Sequence, residues 1–315
     1  MMIISASRRT DIPAFFGEWF LNRLIAQEVL VRNPMNSNQV TKINLSPDSV
    51  DAIVFWTKDP TNFLPYLDKI KDMGYKFYFQ FTLTTYDNLI ELNVKPKTDI
   101  INIFIKLSKI IGKDKLIWRY DPILINKKYS VEYHQKWFEY LCDKIARYTR
   151  KCVISFVDEY IFLKKKFTTN DIKEVDEESM RSIAEKLSKI AQKYSLSLST
   201  CSEKIDLSYL GITHNKCIDD VIVNEITDNN LLYKKDPIQR EECGCMISRD
   251  IGAYSTCGHN CLYCYASRKG NSSLFKLYDP ESPLLCDSLN GTEKIITYKE
   301  NKQNKILENK LFEEI

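Results

Sequence analysis

The chain has 315 residues, 44% apolar and 28% charged, which suits a globular protein with a large core, either one big α/β barrel or two modest domains. Its formal net charge of +3 is too small to argue for a nucleic-acid or membrane surface. No run of about 18 apolar residues argues for a transmembrane helix, and the start, MMIISASRRTDIPAFF, lacks the basic region and apolar stretch of a signal peptide, so a cytoplasmic protein is expected.

Short apolar runs alternate with helical patterns over the first two hundred residues. Ile3 to Ser7 opens and ends in Arg8-Arg9-Thr10-Asp11 and Pro13, and Glu18 to Val29 follows with Phe20, Leu21, Leu24 and Ile25 at helical spacing. Further strands are expected at Ala52 to Thr57, Phe77 to Leu83, Leu116 to Ile125, Val153 to Val157 and Leu196 to Thr200. Between them lie helical stretches at about Asp99 to Ile111, Val131 to Tyr148 and Asp176 to Tyr194. The repetition predicts a parallel sheet with helical crossovers, first as a TIM-like (β/α) barrel, complete or partial, and second as an open doubly wound sheet. No glycine-rich phosphate loop is present, which excludes nucleotide binding by those routes.

The expected strands end in polar groups: Arg8, Arg9 and Asp11, then Lys58, Gln80 and Thr82, Arg119 and Asp121, Asp158, and Glu203. In parallel α/β folds these ends share one face, where active sites form. A pocket mixing cations with carboxylates is expected there, with helix caps and surface ion pairs as the plainer alternative. Arg8, Arg9, Asp11, Lys58, Arg119 and Asp121 are the candidate catalytic groups.

Beyond about residue 202 the periodicity weakens and cysteines accumulate. Of ten in the chain, seven fall between Cys201 and Cys264, a clustering that suggests metal. The segment Cys257-Gly-His-Asn-Cys261-Leu-Tyr-Cys264 places three thiols within eight residues. Thiolates are the usual ligands of iron–sulfur clusters, and three would leave one iron of a [4Fe–4S] cube open. Structural zinc, the competing reading, favours paired C-x2-C ligands and closed four-ligand sites. Cys243-Gly-Cys245, Cys201 and Cys217 are candidate ligands for a second cluster or a zinc ion, or one of them could complete the first. Cys142 and Cys152 read as buried small hydrophobes, and His134 as structural.

The spacing Cys257-x3-Cys261-x-Tyr263-Cys264 resembles the C-x3-C-x-aromatic-C signature of radical S-adenosylmethionine (SAM) enzymes. That resemblance implies SAM chelated at the open iron, reductive cleavage to a 5′-deoxyadenosyl radical, a partial or full barrel, and an electron donor such as ferredoxin or flavodoxin. With the strand-end pocket it gives Tyr263, Arg8, Arg9, Lys58, Gln80, Asp158 and Glu203 as candidate cofactor contacts, and Arg8, Arg9, Lys58 or Arg119 as holders of the SAM carboxylate, to which guanidinium is suited. The whole chain also resembles a bacterial and archaeal domain-of-unknown-function family with a C-terminal cysteine cluster. Ser5 to Pro13, Val54 to Lys58, Trp118 to Pro122, Asp250 to Tyr254 and the triplet carry the likeness.

Two features depart from the radical-SAM pattern: the triplet lies beyond residue 250 rather than after the first strand, and no Gly-Gly-Glu-like segment is present. In a barrel the last loop lies beside the first, so a late cluster loop would still reach Arg8 and Arg9. The expected organisation is a barrel over 1–235, a cluster-binding segment over 236–285 packed on its face, and a tail over 286–315, read as a peripheral helix or frayed end. The substrate, small or macromolecular, is not legible. The alternatives are a cluster that does not use SAM, in redox or electron-transfer work, and a zinc-stabilised binding module, with membrane and nucleic acid not expected as partners.

Overall fold

The computed structural model describes residues 2–267 and 273–299 and the backbone of 305–307. In chain order its first half runs β1 (Met2–Ala6), α1 (Ile12–Phe15), α2 (Gly17–Ala26), β2 (Glu28–Asn33), β3 (Asn36–Asn44), β4 (Val50–Thr57), α3 (Leu67–Asp72), β5 (Phe77–Thr82), α4 (Lys97–Ile111) and β6 (Leu116–Ile123). There follow α5 (Val131–Ile145), β7 (Lys151–Phe156), α6 (Lys164–Thr169), α7 (Glu177–Lys193), β8 (Ser197–Thr200), β9 (Thr213–His214), α8 (Asp220–Thr227), β10 (Leu231–Tyr233), β11 (Arg249–Asp250), β12 (Lys294–Thr297) and β13 (Lys305–Leu307).

Eight strands form one sheet in the order β11-β1-β4-β5-β6-β7-β8-β9, and every pairing in it is parallel. From β1 to β9 each strand lies beside the next one in the sheet, and β11 lies on the other side of β1, with Ser5 opposite Asp250. Among the described residues no pairing joins β9 to β11, so the sheet stays open at that seam and the complete barrel is not seen. The helices that cross between strands start where the sequence supplies caps: Ser130 accepts from the Tyr133 amide to begin α5, and Asp176 accepts from Ser179 to begin α7.

Alternation along the strands builds two cores. Ile4, Ile53, Phe55, Phe79, Trp118 and Ile154 face the helices in one buried cluster. Their neighbours Ile3, Ala52, Val54, Tyr78, Ile117 and Val153 face the other way, onto Cys217, Ile218, Ile222, Val223, Cys245 and Met246. The segment between β9 and β11 therefore fills the second face of the sheet, and this makes the strands apolar on both sides.

Three expectations need correction. The helix drawn through Val29 ends at Ala26, because Gln27 adopts a left-handed conformation (φ 54°) and residues 28–44 turn back as the β2–β3 hairpin. The cysteine-rich segment does more than pack on the face of the sheet, because β11, inside it, pairs with β1 as an edge strand. The tail is no helix over Lys294–Thr297, where the β-branched run pairs in parallel with the edge of β3.

Candidate functional site

The carboxyl ends of the strands surround a cavity of about 430 Å³, within the range of small-molecule sites. Its wall brings together Arg8, Arg9, Asp11, Lys58, Arg119, Asp121, Asp158, Glu203 and Tyr263 with all seven candidate cysteines, Cys201, Cys217, Cys243, Cys245, Cys257, Cys261 and Cys264. Gln80 is the exception. It is fully buried beneath the wall, where its Nε2 donates to the Cys217 carbonyl at 2.9 Å, so its contribution is to the scaffold.

The triplet loop is held by the segment after β5. Asn93 donates from its backbone to the His259 carbonyl and from its side chain to that of Gly258, while Leu262 donates to the Ile90 carbonyl. Glu91, 1% exposed, accepts from Thr84 (2.7 Å), Lys58 (2.7 Å), Lys97 and the Tyr263 hydroxyl. Burial raises the Glu91 carboxyl, yet Lys58 and Lys97 outweigh it and hold the group far below the usual carboxylate range. The two lysines divide: burial lowers both, but Lys58, held by Glu91 and the field of Cys261, ends raised, and Lys97, repelled by Lys58, ends lowered. Lys58 also stands 5.6 Å from the centre of the Tyr263 ring.

From the other side the loop rests on Asp11. One carboxylate oxygen accepts the Ala14 amide and caps α1, and the other accepts the Lys58 amide (2.7 Å) and His259 Nε2 (2.9 Å). Asp11 is thus engaged in positioning. Burial pushes the Cys257 thiol well above its ordinary range, with Asp11 adding to the effect, and raises Cys261 to about 12 against the opposing pull of Lys58. Gly258 lies where an added Cβ would come within 2.8 Å of the Phe15 ring.

The first and last strands are joined by Asp250, which accepts from Ser5 (2.9 Å), Ser7 (2.6 Å) and the amides of Arg8 (2.8 Å) and Gly252 (3.0 Å). Arg9 lies along this seam, 3.8 Å from Asp250, against Tyr254 and the Gly252 carbonyl. Arg8 reaches inward, donating to Ser248 (3.1 Å) and lying over Trp56, with its Nε buried and without a partner. Burial works against its charge, but Cys245 and Asp250 outweigh that and raise it. Arg119 covers the other approach to Trp56 at 5.1 Å, pairs with Asp121, and donates to Cys217 Sγ at 2.7 Å.

At the rim Asp158 pairs with Arg240 at 2.6 Å. Burial raises the Glu203 carboxyl to about 7, although it accepts the Phe156 amide, with Asp158 and Asp121 adding to the effect.

Cys142 and Cys152 are buried in the helix-facing core, 1% and 0% exposed, away from the cavity. His134 is buried too: its Nε2 meets the Leu124 carbonyl, which can only accept, so Nε2 carries the proton and Nδ1 accepts from Tyr120 at 2.8 Å. Glu91 and Asp250 do work in the site that the sequence pattern did not assign them. Among the described residues no group of three or more His, Cys, Asp or Glu side chains is placed to hold a metal ion as it stands, and no helix is long and apolar enough to cross a membrane.

A family model described as "Domain of unknown function (DUF1848)" matches residues 3–266, so the chain belongs to that family. No curated protein matches it. Among solved structures it is similar to a protein from Bacteroides thetaiotaomicron VPI-5482 described provisionally as an alpha-L-fucosidase, at 12% identity and a TM-score of 0.26, over 70% of this chain and 82% of that one.

Proposed function

We propose that this member of the DUF1848 family is an iron–sulfur enzyme of radical-SAM type, with Cys257, Cys261 and Cys264 holding a [4Fe–4S] cluster at the carboxyl-end pocket of a partial barrel. The observation that carries the reading is the meeting of the triplet with Arg8, Lys58 and Arg119 on one cavity wall, though they lie far apart in the chain. The residues fit the group: three thiols within eight residues share a cavity wall, and partnerless buried atoms, Arg8 Nε and His259 Nδ1, lie among them. A cluster held there would supply the electron for reductive cleavage of SAM into methionine and a 5′-deoxyadenosyl radical.

The chain's own residues do the rest. Arg8 offers a guanidinium edge to the SAM carboxylate, since charge-assisted pairing suits that geometry. Trp56 presents an aromatic surface braced by Arg8 and Arg119. Asp11, through His259, and Glu91, through Tyr263, fix the loop from two sides. Tyr263, Lys58 and Arg9 serve the cofactor chiefly by holding that loop and seam, and Asp121, Asp158 and Glu203 line the side where the substrate enters. A cytoplasmic setting and a ferredoxin- or flavodoxin-like electron donor complete the reading.

The test is electron paramagnetic resonance of anaerobically reconstituted, dithionite-reduced protein with and without SAM, alongside iron and sulfide content. A reduced-cluster signal that changes with SAM is expected. A cluster signal indifferent to SAM would overturn the SAM assignment in favour of other redox work, and a protein without iron would overturn the cluster.

A further inference from the structure

We propose that Cys201, Cys217, Cys243 and Cys245 are the ligands of a second metal centre, a four-thiolate site separate from the triplet. The proposal does not rest on the cluster assigned to the triplet. The four come from three segments, after β8, after β9 and before β11, yet they come together. Cys201 and Cys217 Sγ lie 3.4 Å apart, and Cys243 and Cys245, two positions apart in sequence, stand on the same cavity wall. Around one tetrahedral zinc, bonds of about 2.3 Å would set sulfurs roughly 3.8 Å apart. The 3.4 Å contact therefore suits one thiophilic ion better than a cube, whose thiolates each sit on a different iron. The ion's contribution is to draw the four sulfurs into a tetrahedron.

Two of the four sulfurs are already met by hydrogen-bond donors. Cys217 Sγ accepts from Arg119 (2.7 Å) and Asn215 (3.2 Å), and Cys245 Sγ accepts the Ile218 amide (3.4 Å). Donors aimed at sulfur are the outer-shell arrangement that orients metal ligands and offsets their charge. The Cys217 backbone is itself fixed, its carbonyl accepting from Tyr78 (2.7 Å) and Gln80 (2.9 Å). Cys217, Cys243 and Cys245 are 2%, 7% and 2% exposed, and Gln80 Oε1 and Asn215 Oδ1 are buried beside them without partners. The location supplies a purpose: these segments flank the gap between β9 and β11, which no sheet pairing bridges among the described residues. An ion there joins them covalently, so its binding energy becomes folding energy.

The experiment removes the triplet and counts metal. The Cys257→Ala/Cys261→Ala/Cys264→Ala variant is expressed with zinc and iron supplied, purified anaerobically and analysed for zinc, iron and sulfide. About one equivalent of zinc is expected, as a closed four-thiolate site would hold, lost on adding Cys217→Ala. Iron with sulfide in its place, lost in the same way, would equally support a metal centre and identify it as a cluster. A variant that is folded by circular dichroism yet free of both metals would overturn the proposal. Should the triple variant not fold, Cys217→Ala/Cys243→Ser in the otherwise native chain gives the answer: loss of one metal complement with the triplet's iron retained supports it, and unchanged total metal overturns it. A native chain holding only zinc, released by Cys217→Ala, would sink the triplet reading and leave this one standing.

Discussion

Tyr263 donates its hydroxyl hydrogen to the buried carboxylate of Glu91, a residue 172 positions earlier in the chain, so the side chain between the second and third cysteines is tied directly to the main fold. The same carboxylate balances Lys58 and Lys97. One acidic group thus contributes to both the position and the electrostatics of the cysteine loop.

Replacing Glu91 by Ala leaves two largely buried lysines without their counter-charge, a change that costs about 3–5 kcal/mol at comparable sites. Urea denaturation is expected to show a loss in that range. Tyr263→Phe, which keeps the ring and removes only the hydroxyl, should cost about 1 kcal/mol and loosen iron retention without unfolding the protein.

The carboxyl of Glu91 is depressed in the folded chain, so its stabilisation is present above its unfolded pKa and declines as pH falls below it. His134 adds a second acid sensitivity. Burial lowers it from 6.5 to about 4, so between those values the unfolded chain binds a proton that the folded chain does not. Stability should therefore fall as pH drops through that window, by up to roughly 3 kcal/mol from this residue. Denaturation of the native chain and His134→Gln at pH 7 and pH 5 checks it: the variant should lose that part of the pH dependence.

Cys261→Ala should abolish the visible absorbance assigned to the triplet, whereas Cys142→Ala, in the helix-facing core, should leave it intact. Full iron content in the Cys261 variant would remove the triplet from the ligand set.

Arg8→Gln should keep iron content and fold but weaken SAM binding about tenfold or more, the equivalent of losing one charge-assisted hydrogen bond. Titration of the SAM-dependent change in the reduced-cluster spectrum measures it. Unaltered affinity would remove Arg8 from the carboxylate site.

Gly252→Ala would place a methyl group 2.1 Å from the Ser7 hydroxyl oxygen. Ser7 would have to leave Asp250, and overpacking of this kind costs about 1–3 kcal/mol. Thermal denaturation should show the loss, and Gly291→Ala, with open space around it, offers a comparison at a glycine whose cost comes from its positive φ alone.

The strands of the main sheet were legible because each is a short apolar run bounded by turn residues, and their polar ends converge as parallel strands require. Gln80 misled because alternation places it on the filled face of the sheet, under the Cys217 carbonyl, and a strand-end position alone does not reveal that. The β2–β3 hairpin was hidden by apolar residues that continue the helical spacing of α2 past Gln27. Glu91 left no signal at all: it lies in an irregular loop, and its role depends on Lys58 and on a tyrosine near the other end of the chain. Strand β11 is two residues long and has no pattern of its own; only its partner β1 makes it a strand.

That pairing has a consequence for biosynthesis. Ser5 and Asp250 are 245 positions apart, so the edge of β1 has no mate until most of the polypeptide has been translated. Closing so large a loop comes late in folding, and until it happens the first strand exposes unpaired backbone and the thiol-bearing wall is incomplete. A ribosome stalled before residue 250 would therefore present an aggregation-prone edge.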